Sequence, residues 1–113
     1  MIEKIVYDYL KANIDADIYT ELPPTLEFYP SCVVLEKTSE RRENHIRTAT
    51  IAIQSYGYSL FEAATMNELV IEQMLNIITL NSIASCKLNS DYNFTDTTTK
   101  RYRYQAVFDI TYY

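Results

Sequence analysis

Across residues 39–70 the chain reads SERRENHIRTATIAIQSYGYSLFEAATMNELV, and its apolar period changes from two to 3.6 across Gly57, the only glycine. From 45 to 56 the residues alternate. Ala49, Ile51 and Ile53 share one face, and Thr48, Thr50 and Gln54, with Ala52, share the other, so a strand is predicted. After Gly57, Ser59 is placed to cap a helix, and Glu62 stands three residues later as its capping-box partner. Leu60, Ala63, Ala64, Asn67, Ile71, Met74, Leu75 and Ile78 then recur at helical spacing to an end near 79–81. Ala63 and Ala64 are small enough to let that helix lie close on a sheet. Ahead of the strand, residues 38–44 are polar and predict an exposed, mobile hairpin loop.

The remaining elements follow from the same periods. Residues 2–11 predict a helix with Ile2, Val6, Tyr9 and Leu10 on one stripe. A short strand is expected over 18–22, then a loop over 23–30, where three prolines withhold backbone donors. Residues 31–37 predict a strand with Val33 and Leu35 on one side and Cys32, Val34 and Glu36 on the other. A further short strand is expected over 83–88, then a polar stretch to 99. Residues 100–112 give the clearest strand: Tyr102, Tyr104, Ala106, Phe108, Ile110 and Tyr112 face one way. A one-residue slip would expose that whole row, so its register is tightly constrained. The order α-β-β-β-α-β-β predicts one α+β domain over 1–113. Its sheet is mostly antiparallel, with four to five strands, and both helices pack on one face.

Composition narrows the function classes. The net charge of −5 argues against general nucleic-acid binding, which leaves a basic footprint. Basic residues do gather locally, at Arg41, Arg42 and Arg47 and at Lys100, Arg101 and Arg103, where a solvated face is the plainer reading. Cys32 and Cys86 have no metal-ligand spacing and read as buried free thiols of a reducing compartment. The N-terminal stretch is interrupted by charge and reads as no signal peptide, and no apolar run is long enough to span a bilayer. Eleven tyrosines, four of them among the last twelve residues, suit a protein interface as well as strands.

The motifs for chemistry are sparse. His45 is the only histidine, with no second ligand at metal spacing around it. No GxSxG motif occurs, and one glycine cannot build a glycine-rich phosphate loop. Asp91, Asn93 and Asp96 resemble a calcium loop only loosely, because the central glycine and the distal Glu are missing. No enzyme, metal or cofactor is expected.

The segment Glu40, Arg41, Arg42, Glu43, Asn44, followed by ATIAIQSYG and a helix opening SLFEAA, resembles tailed-bacteriophage tail terminator proteins, also called tail completion or head–tail joining proteins. PSCVVLEKT before it and RYRYQAVFDITYY at the end extend the resemblance over most of the chain. The resemblance implies a ring, commonly a hexamer, that caps the tail tube, stops its polymerisation and offers a surface to the head. It implies self-association, contact with the tail tube protein and with head-completion or connector proteins, and DNA passing through the lumen without specific binding. It implies no membrane partner, a place in the host cytoplasm during assembly, and then the head-proximal end of the virion tail. An acidic lumen would let DNA slide past.

A closed ring needs two different patches on each subunit. The candidates are Glu40, Arg41, Arg42, Glu43 and Asn44 in the hairpin, and Arg101, Tyr102, Arg103, Tyr104, Tyr112 and Tyr113 in the last strand. The alternatives are a head-completion or neck connector protein of the same particle, a ferredoxin-like regulatory or nucleic-acid-binding domain, and a small enzyme.

Overall fold

A computed structural model of the chain describes residues 1–21, 31–98 and 101–113. The loop expected over 23–30, Leu22 at the end of the first short strand and Lys100 at the start of the last lie outside the described residues. The described elements are α1 (Ile2–Asn13), β1 (Ile18–Tyr19), β2 (Cys32–Glu43), β3 (Ile46–Gly57), α2 (Leu60–Leu75), a 3-10 turn (Ile77–Thr79), β4 (Ile83–Asn93) and β5 (Tyr102–Tyr112). They form one five-stranded sheet in the order β1-β2-β3-β5-β4. Only the β1–β2 pair is parallel; the other three pairs are antiparallel. The fold is α+β, in the expected element order.

Both helices cover the same face. Ile2, Val6 and Leu10 of α1 and Val70 and Met74 of α2 join Val33, Leu35, Ala49, Ile51, Ile53, Ala106, Phe108 and Ile110 in one buried cluster. The alternation in β2, β3 and β5 is therefore the alternation between this core and the opposite face, which no described helix covers and on which Cys32, Val34 and Tyr56 form a second, small buried cluster. The most regular strand, β5, sits between β3 and β4, pairing Phe108 with Ile51 on one side and Leu88 on the other. The Tyr9 hydroxyl donates to the Gln73 carbonyl at 2.9 Å and ties α1 to α2.

The strand-to-helix joint is as tight as its sequence implies. The Glu62 amide donates to Ser59 Oγ at 3.1 Å, the N-cap bond. A Cβ on Gly57 would lie 2.6 Å from the Ala63 backbone nitrogen, so this position accepts only glycine without a shift.

Three expectations need correction. Residues 38–43 are not a loop: β2 runs to Glu43, pairing Arg41 with Thr48 and Arg42 with Arg47, with an irregularity between Lys37 and Ser39. The turn is only Asn44-His45, with φ of 50° and 69°. Two consecutive positive φ values make the type I′ turn that matches strand twist. Strand β4 likewise continues past Leu88 to Asn93. On α2 the buried row is Ala63, Asn67, Val70 and Met74, continued by Ile77, while Leu60, Leu75 and Ile78 are exposed.

Candidate interaction surfaces

The predicted interface residues fall at opposite ends of the sheet. The β3–β5 register pairs Arg47 with Tyr112 at one end and Gly57 with Tyr102 at the other. Ten residues of strand separate the ends by roughly 30 Å. The hairpin residues therefore meet the end of β5, and Arg101 to Tyr104 lie apart from them.

At the hairpin end, Glu40 pairs with Ala49 and so lies on the helix-covered face. The Tyr112 hydroxyl donates to Glu40 Oε1. Arg42 Nε donates to Glu40 Oε2 at 3.2 Å, and Lys37 stands 3.9 Å from both Glu40 and Glu3. The Arg47 guanidinium lies 6.0 Å from the Tyr112 ring centre. Its Tyr112 hydrogen bond first, and the Arg42 and Lys37 charges after it, hold the Glu40 carboxyl below the usual range. Burial first, and Glu40 second, push the Tyr112 phenol up. Tyr112 is thus buried and engaged within the chain, whereas Arg41, Arg42, Glu43, Asn44 and Tyr113 are exposed.

At the other end Arg103 is also engaged internally. Its Nε donates to the Phe94 carbonyl at 2.6 Å and a terminal nitrogen donates to Tyr56 Oη at 3.0 Å. The guanidinium also stacks 4.4 Å from the Phe94 ring centre. This arginine closes the β4–β5 connection onto β3. Asp96 and Arg101 form a bridge across that connection. Tyr102 and Tyr104 are half-buried on the helix-covered face.

Away from the Cys32, Val34 and Tyr56 cluster, the helix-free face is an ordered polar surface. Thr50 Oγ1 donates to Asp109 at 3.0 Å, and Asn89 donates to the other Asp109 oxygen at 2.9 Å. The Gln54 side-chain amide is engaged in the same row: its Nε2 donates to Gln105 Oε1 at 2.9 Å. An open depression of about 600 Å³ lies there, lined by Arg41, Thr48, Lys87, Asp109 and Thr111 among others.

The two cysteines are free and lie on opposite faces, which prevents their pairing. Burial, and secondarily Asp17, pushes the Cys32 thiol up to about 11; burial, and secondarily Asp109, pushes Cys86 up to about 12. Among the described residues no three His, Cys, Asp or Glu side chains gather to hold a metal. No described helix is long and apolar enough to cross a membrane.

Sequence reasoning missed one surface. On α2, Phe61, Thr65, Glu68, Glu72 and Leu75 are spaced three or four apart and all are exposed. Phe61 is 82% exposed, so this row carries apolar surface that folding does not bury. Its signal was present in the sequence as a second row of helical period beside the core row. The chain matches no protein-family model and no curated protein.

Proposed function

We propose that the chain is a ring-forming structural subunit that caps the tail tube of a tailed bacteriophage or prophage, ends tube polymerisation and provides a surface for head joining. The observation that carries this reading is the distribution of surfaces. One sheet face carries no described helix, Arg41, Arg42 and Arg47 outnumber Glu40 and Glu43 at the hairpin end, and the outer flank of α2 is acidic and apolar. A subunit that must touch a copy on each side, the tube below and the head above needs several separate patches on a small body. The resemblance of the 40–64 segment to tail terminators supplies the identity of the assembly.

Purified chain incubated with tail tubes from the same particle, viewed by negative-stain electron microscopy, tests the reading. A ring on one end of most tubes is expected. Tube ends that remain bare at saturating chain would remove the terminator role, and binding to heads or portals instead would favour the neck connector.

A further inference from the structure

Two patches are surplus to folding and opposite in charge. Helix α2 contains Glu62, Glu68 and Glu72 and no Lys or Arg. Among the described residues none of these three carboxylates makes an ion pair within the chain. Glu68 and Glu72 lie in the exposed row between Phe61 and Leu75, so the flank sets two adjacent acids between hydrocarbon ends. At the hairpin end Arg41, Arg42 and Arg47 outnumber Glu40 and Glu43. Among the described residues Arg41 makes no ion pair and Arg42 pairs with Glu40 alone; Ile46, on the same side of the hairpin as Arg41, is 45% exposed.

Within one chain the two patches form no ion pair with each other among the described residues, and the buried row of α2 is engaged with the sheet, where Asn67 Nδ2 donates to Asp91 at 2.6 Å. We propose that the Arg41, Arg42 and Ile46 end of the hairpin docks on the Glu68, Glu72 and Leu75 flank of α2 in a second copy of this chain. Arginine is suited to the task, since its planar fork meets a carboxylate in two bonds while its stem covers hydrocarbon. The contact joins two different patches, so it is heterologous, and repeating it closes a ring or extends a filament. This rests on the reading of the chain as a ring subunit and adds which surfaces make the ring.

Two charge-reversed variants test it, R41E/R42E and E68K/E72K, with sedimentation velocity as the readout and far-UV circular dichroism as the check on folding. Wild type is expected to associate with rising concentration and to dissociate in high salt, because exposed pairs are screened. Each variant alone sets like charges against each other and is expected to associate at least about a hundredfold more weakly. Mixing the two restores both junctions, since the acidic hairpin meets the lysine flank and the native hairpin meets the native flank. Assembly recovered only in the mixture is the expected result. A monomeric wild type at low salt, a variant that assembles alone, or a mixture that does not would each overturn the proposal.

If a reversal unfolds the hairpin, I46C/L75C replaces it. Oxidation is expected to link copies through these two positions and not to link either single variant, with the native thiols kept slow by their raised pKa. Absence of that cross-link would overturn the proposal too. Rings that form through this contact but leave tubes uncapped would remove the tail reading alone. Capping that survives both reversals would remove this contact alone.

Discussion

Glu40 and Tyr112 form a pair that titrates in opposite directions, and the window of its stabilisation follows from the signs. The folded Glu40 carboxyl lies below its unfolded value, so its contribution is full above the unfolded carboxylate range and is lost as pH falls through the folded pKa. The folded Tyr112 phenol lies above its unfolded value, so its contribution is full below that value and is lost as pH rises through the folded pKa. Tyr112→Phe is therefore expected to return the Glu40 carboxyl toward the ordinary range, read by NMR titration of its side-chain carbon. An unmoved Glu40 titration would show that the arginine and lysine charges alone hold it down. Gly57 is the other residue on which the fold turns. Gly57→Ala forces the strand end and the first turn of α2 apart, and a loss of about 1–3 kcal/mol is expected from overpacking against backbone. A urea midpoint equal to wild type would contradict that close approach.

The elements show where a sequence pattern speaks and where it goes quiet. β5 is legible over its whole length because every second side chain, from Ala106 to Tyr112, enters the core. The distal part of β2, Ser39 to Glu43, is paired residue for residue with β3 but contains no apolar residue. Backbone hydrogen bonds hold it, and these leave no period in the side chains, so it reads as a loop. β4 beyond Leu88 fails for the same reason at the sheet edge. α2 is legible as a helix but not in its buried face. Its two neighbouring apolar rows share one period, and only the position of the sheet selects Val70 and Ile77 over Leu75 and Ile78. The candidate site was half legible: the hairpin arginines were picked out by their charge, but the acidic flank of α2 looked like ordinary solvated surface. The turn itself yields a prediction. A histidine at φ of 69° pays the left-handed cost that glycine avoids, so His45→Gly, which creates the favoured Asn-Gly turn, is expected to raise stability by up to about 1 kcal/mol. A fall in the thermal midpoint would show that His45 has another task.

At the scale of the molecule, two helices on one sheet face leave a body with extents of 44 × 25 × 23 Å and distinct surfaces around it. The hairpin end, the acidic flank of α2 and the helix-free sheet face are three separate faces of that body, and a subunit of a ring between a tube and a head has work for each. The central claim is that the chain ends tube growth, and tube length measures it most directly. Tail tube protein from the same particle is polymerised in vitro, and the chain is added during growth at a few copies per tube end. Electron microscopy of the length distribution is expected to show growth arrested from the moment of addition. Tubes that continue to lengthen at the rate of the untreated sample would contradict the account.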